Sequence, residues 1–132
     1  MNNVMEEKII FTTGGTGGHI YPALAIAKEF KKRGSSILFV GTKHRMEREI
    51  VPNEGYNFIG LDVLPLRSIK SFIKMLKAIK EALRIVKNEK PTKVIGFGNY
   101  ISIPILVAAK LKKIPYYLQE QNSTMGMANK YF

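Results

Sequence analysis

Cysteine is absent from this 132-residue chain. That excludes a disulfide framework and thiol chemistry, and it fits a reducing cytoplasm. Long apolar runs are missing too. No stretch approaches the roughly eighteen residues of a membrane span, and the opening M-N-N-V-M-E-E-K has no apolar core of signal-peptide type. Acidic residues are scarce: 10 carboxylates face 21 lysines and arginines, for a formal net charge of +11. Such an excess favours an acidic partner, whether nucleic acid, an anionic membrane or a phosphorylated small molecule. No repeat, low-complexity tract or linker divides the chain. Its length suits one domain, 1–132, that buries about two-thirds of its unfolded surface.

What the sequence does have is glycine in one place. T-G-G-T-G-G-H-I-Y-P, from Thr13 to Pro22, follows an apolar strand. Gly14, Gly15, Gly17 and Gly18 supply backbone that can take positive φ and approach a ligand closely. The N–H groups and positive dipole end of the next helix, expected from Pro22 to about Arg33, suit an anion. Two absences narrow the reading. A triphosphate-binding loop needs G-K-[ST], and no lysine follows until Lys28; a dinucleotide fingerprint needs a third glycine where Ile20 stands and a carboxylate after the second strand, which ends Gly41-Thr42. Nicotinamide and flavin are therefore not expected, and no cofactor or metal site is assigned. A glycine-rich connection without ligand remains the plain alternative.

Apolar runs of strand length alternate with amphipathic stretches of helix length. Strands are predicted at Lys8–Thr12, Ser36–Gly41, Asn57–Leu61, Lys93–Phe97 and Tyr116–Leu118, mostly continuous apolar runs of the kind buried on both faces. Helices are predicted at Pro22–Arg33, Arg45–Asn53, Ile69–Asn88 and Ser102–Lys112, with Gly34, Gly55 and Pro91 as stops. Strict alternation implies an α/β fold, an open doubly wound parallel sheet with right-handed crossovers. Ligands of such sheets sit beyond the carboxyl ends of the strands, where Gly14–Tyr21, Gly96–Ser102 and Gln119–Gly126 fall.

The third helix is strongly basic. Between Arg67 and Lys90 eight basic residues stand against two acidic ones, Glu81 and Glu89, while Ile69, Phe72, Ile73, Leu76, Ile79, Leu83 and Val86 recur at helical spacing. One reading packs that apolar face on the sheet beneath a solvated lysine face. Another lays Leu64, Leu66, Ile69 and Phe72 in a lipid headgroup layer, with basic residues worth about 1 kcal/mol each near anionic lipid. Nucleic acid fits less well, because the lysines are not interleaved with stacking aromatics and no nucleic-acid motif is present.

The loop G-G-T-G-G-H-I-Y-P-A-L-A-I-A resembles the first glycine loop of the MurG family. Three further segments match in order: G-T-K-H-R-M-E-R-E-I-V-P-N-E-G-Y (Gly41–Tyr56), G-F-G-N-Y-I-S (Gly96–Ser102) and E-Q-N-S-T-M-G-M-A-N-K (Glu120–Lys130). The resemblance covers nearly the whole chain but only the amino-terminal half of a MurG protein. It implies the Rossmann-like first half of a GT-B glycosyltransferase, whose carboxy-terminal donor domain is not in this sequence. The implied reaction is inverting: the C4 hydroxyl of lipid I attacks the anomeric carbon of UDP-N-acetylglucosamine, UDP leaves, and lipid II is formed for peptidoglycan. The implied location is the inner face of the cell membrane, as a cytoplasmic peripheral protein. Ala128–Phe132 reads as a helix just begun, so a truncated chain, inactive alone, is expected.

By position in the motifs, Thr16, Gly17 and Gly18 correspond to donor contacts, with Gly15 and Gly98 in the same two glycine loops. Asn122 corresponds to a further donor contact and Asn129 to a polar position of the cleft. A base on the acceptor hydroxyl is required. His19 is the candidate, since imidazole ordinarily titrates near neutrality, though a histidine here could equally brace the turn or hold a phosphate. Glu120 is the other titratable candidate, or a structural carboxylate. Asn122 and Ser123 could instead cap a helix, Tyr100 could touch acceptor or simply pack, and His44 reads as surface. Two features depart from the family: Asn99 and Ile103-Pro104-Ile105-Leu106 stand where the second loop is often richer in glycine, and Gln119 stands where H-E-Q-N begins with histidine. Alternatives to the enzyme half are a non-catalytic subunit that recruits a donor-binding partner to the membrane, or a lipid glycosyltransferase with another acceptor.

Overall fold

The computed structural model describes residues 7–119 and the backbone of 127–128. β1 (Lys8–Thr12), β2 (Ser36–Thr42), β3 (Asn57–Leu61), β4 (Lys93–Phe97) and β5 (Tyr116–Gln119) alternate with α1 (Gly17–Lys32), α2 (Glu47–Asn53), α3 (Ile69–Glu89) and α4 (Ile103–Leu111). The strands lie in the order β3-β2-β1-β4-β5-β6, all parallel except the short β6 (Met127–Ala128), which runs antiparallel to β5. Every strand read from the sequence lies within one residue of its expected bounds. Ala128, expected to open a helix, lies instead in β6, opposite Leu118.

Because successive strand residues point to opposite faces, the sheet feeds two cores. Ile10, Leu38, Val40 and Val94 face one cluster with Met75, Ala78, Ala82, Ile105 and Ala109 of α3 and α4. Ile9, Phe11, Phe39, Ile95 and Phe97 face the other with Ile20, Ala23, Leu24 and Ala27 of α1 and Val51 of α2. Phe11 anchors the second cluster, its ring 5.3 Å from Phe39 and 6.3 Å from Phe97. Burying each such ring is worth about 1.5–3 kcal/mol.

Two helices, α1 and α2, start away from their expected positions. α1 starts at Gly17 rather than Pro22, because the Thr16 carbonyl accepts the N–H of both His19 and Ile20 at 3.1 Å. Pro22 thus sits inside the helix, where its missing N–H leaves the Gly18 carbonyl without its usual donor. α2 begins at Glu47, after turns and a bend over 43–46, and a 3₁₀ turn over Tyr100–Ser102 precedes α4. α3 keeps its bounds to within one residue, and the apolar stripe read from the sequence divides: Val86 is buried and Ile79 and Leu83 pack against the core, while its amino-terminal members do not. Ser71, Met75, Ala78, Ala82, Ile85 and Val86 are its buried residues, whereas Ile69, Phe72, Ile73 and Leu76 face solvent. Ala78 and Ala82 of α3 share one buried cluster with Ile105, Ala108 and Ala109 of α4. Ser68 and Ser71 fix the start of α3 by reciprocal capping.

Candidate functional site

The order β3-β2-β1-β4-β5 places a topological switch between β1 and β4, the position at which open α/β sheets bind ligands. The glycine loop leaves β1 on one side and Gly98–Ser102 leaves β4 on the other. They are fastened together: Asn99 Nδ2 donates to the Gly14 carbonyl at 3.0 Å, and Ser102 Oγ shares its one proton between the Thr12 and Phe97 carbonyls, 2.9 and 3.0 Å away. Asn99 Oδ1 also accepts the Ile101 N–H at 2.9 Å. The asparagine that stands where glycine is frequent is thus a cross-loop tie.

Gly14 and Gly15 take positive φ, +156° and +93°, a geometry that favours glycine. The Gly15 N–H donates to Glu47 Oε1 at 2.9 Å, and its carbonyl accepts Arg45 Nη2 at 2.8 Å. Both backbone groups of Gly15 are therefore taken within the chain. Gly17 and Gly18, at the first turn of α1, have no acceptor for their N–H among the described residues, and these are the groups that carry the positive end of the helix dipole. Thr16 is exposed and its hydroxyl caps nothing. His19 is half-buried. Its carbonyl accepts Thr13 Oγ1 at 3.0 Å, and its imidazole has no hydrogen-bond partner among the described residues.

The structure therefore brings Thr16, Gly17, Gly18 and His19 together at one helix start. Gly98 is exposed across the switch, with open space where a side chain would be. Tyr100 is half-buried and packs against the α3–α4 core. Glu120, Asn122, Ser123 and Asn129 lie outside the described residues. His44 is at the surface, as read, yet not idle. Its Nε2 lies 2.6 Å from Asp62, which also accepts Lys74 Nζ at 2.7 Å. These two hydrogen bonds, the lysine's first, hold the Asp62 carboxyl down at about 2, and they tie the β2–α2 loop to α3.

Sequence reasoning missed Glu47, Arg45 and Asn99. Glu47 is fully buried with its two oxygens bonded to backbone. Its signal was available: it stands four residues before buried Val51, so it shares the inward face of α2.

The family model for the glycosyltransferase family 28 N-terminal domain matches residues 9–132. The chain belongs to this family. Among curated proteins it is 52% identical, over 96% of its length, to a UDP-N-acetylglucosamine–N-acetylmuramyl-(pentapeptide) pyrophosphoryl-undecaprenol N-acetylglucosamine transferase of Fusobacterium nucleatum subsp. nucleatum. A protein of the same name from Halothermothrix orenii is 45% identical over 93% of the chain. The crystal structure of Acinetobacter baumannii MurG superposes with a TM-score of 0.80 at 32% identity, covering 88% of this chain. The chain spans about 35% of the length of each of these proteins. The resemblance to MurG and the Rossmann-like first half of the GT-B fold therefore stand. Family 28 membership places the glycine loop and the β4 loop in a glycosyltransferase amino-terminal domain.

Proposed function

We propose that this chain is the amino-terminal, acceptor-facing half of an inverting transferase that moves N-acetylglucosamine from UDP-N-acetylglucosamine to the C4 hydroxyl of an undecaprenyl-diphosphate-linked muramyl acceptor. The observation that carries the reading is the first turn of α1, whose Gly17 and Gly18 N–H groups have no acceptor among the described residues, set at the switch point by a loop whose Gly14 carbonyl and both Gly15 backbone groups are tied down. Backbone donors of this kind stabilise the charge that grows on a departing diphosphate. Thr16 stands beside them as a further donor contact, and Gly15 shapes the loop. His19, one residue further on, takes the proton from the attacking hydroxyl. Of the residues outside those described, Asn122 is proposed as a further donor contact, Asn129 as a polar position of the cleft and Glu120 as its second titratable group. No cofactor or metal enters the scheme.

The test joins this chain to a family donor-binding domain and supplies UDP-N-acetylglucosamine with a lipid I analogue. The expected product carries one added N-acetylglucosamine in inverted, β linkage. Transfer only after adding a separately encoded second chain would favour the subunit alternative, and transfer to a different lipid would change the acceptor.

We further place the membrane contact at the start of α3. No helix among the described residues is long and apolar enough to cross a membrane. Leu66, Ile69, Phe72, Ile73 and Leu76 are 50%, 79%, 53%, 46% and 51% exposed. Leu64, expected to share this role, is half-buried and contributes less. Arg67, Lys70 and Lys77 are exposed in the same stretch, so apolar insertion and attraction to anionic lipid act together. Replacing Ile69, Phe72 and Leu76 by serine should reduce co-sedimentation with phosphatidylglycerol vesicles about tenfold or more and leave the fold unchanged. Wild-type binding should weaken in high salt. Undiminished binding of the triple variant would remove this surface from the role.

A further inference from the structure

We infer that Glu47 is a positioning residue for the transfer site, acting through the glycine loop rather than on substrate. The inference rests on the reading of that loop as the donor-facing wall. Glu47 Oε1 accepts the Gly15 N–H at 2.9 Å and Oε2 accepts the Thr42 N–H at 2.8 Å, so one carboxylate joins the end of β2 to the loop after β1. Its side chain is wholly buried, and no cation pairs with it among the described residues. A buried carboxylate in that state depends on well-made hydrogen bonds, and so it dictates the geometry of whatever donates them.

Two glycines exist to admit it. A Cβ on Gly14 would lie 2.2 Å from Glu47 Oε2, and one on Gly41 would lie 2.7 Å from Glu47 Cγ. The Gly14–Gly15 peptide is then gripped at both ends, its N–H by Glu47 and its carbonyl by Asn99 Nδ2, while Arg45 Nη2 holds the next carbonyl. Three side chains from two parts of the fold, the Arg45–Glu47 stretch and the loop after β4, therefore fix two consecutive peptides, and α1 begins two residues later. Enclosed and engaged at both oxygens, Glu47 is unsuited to exchanging a proton with substrate. Its role is to pre-set the direction of the Gly17 and Gly18 N–H groups before the donor arrives.

Glu47→Gln keeps the volume but turns one acceptor into a donor that faces a backbone N–H. In the polypeptide joined to a donor-binding domain, kcat should fall about 10–100-fold while the KM for the acceptor stays unchanged. Arg45→Met, at an exposed position that cannot endanger the core, should give a smaller fall of the same kind. Amide exchange at Gly15, followed by NMR, should accelerate in Glu47→Gln whether or not the protein turns over. A wild-type polypeptide with no transfer would defeat the functional reading, and the exchange rate would still judge the clamp. Active wild type with unchanged kcat in Arg45→Met, and unchanged kcat or no folded protein for Glu47→Gln, would overturn the inference. So would unaltered exchange at Gly15 in a folded Glu47→Gln.

Discussion

Replacing His19 by alanine should lower kcat for N-acetylglucosamine transfer by about 10²–10⁴-fold in a polypeptide that also carries the donor-binding domain. The backbone of His19 is already fixed without its ring: its N–H bonds to the Thr16 carbonyl at 3.1 Å and its carbonyl accepts the Thr13 hydroxyl at 3.0 Å. A ring that braced the turn would be expected to show a bond to it, and the imidazole has no such bond among the described residues. Loss of the ring should therefore leave the melting temperature nearly unchanged while removing the acid-side limb of the pH–rate profile, the signature of a lost general base. A lowered melting temperature with normal turnover would return His19 to the bracing role, and unchanged turnover would strike it from catalysis.

The sheet was legible because its strands are continuous apolar runs of the right length, closed by glycine or proline. Gly34 and Gly55 stop helices as expected, both with φ near +90°. The start of α1 was not, because Pro22 is a strong start signal and Gly17-Gly18 looks like loop, while Thr16 begins the helix without a side-chain cap. The inward face of α3 was legible at Ile79, Leu83 and Val86 but not toward its start. There the buried positions are Ser71, Met75 and Ala78, which hydrophobicity alone ranks below the exposed Ile69, Phe72, Ile73 and Leu76. Glu47 lies in a run, K-H-R-M-E-R-E, whose charge suggests solvent. Its spacing to Val51 is the one inward signal in that run, and the space left by Gly14 and Gly41 shows where the carboxylate goes. Thus the motif named the loop, and tertiary contacts settle which of its groups are engaged and which are open.

The central claim is that open N–H groups at the first turn of α1 work on the donor, and a single substitution isolates it. Gly17 is the first residue of α1, a position that favours proline, and Thr16 before it is extended, with φ −142° and ψ 159°, as the residue preceding proline should be. A Cβ at Gly17 would come 3.2 Å from the ring of Tyr21, an exposed side chain that can swing aside. Gly17→Pro therefore deletes one N–H and keeps the helix start. The measurement is the transfer rate of the joined Gly17→Pro polypeptide beside its thermal melt. The expected result is an unchanged or slightly raised melting temperature with kcat about 10²–10³-fold lower, the effect of losing one donor to a developing anion. Full activity in the folded variant would contradict it.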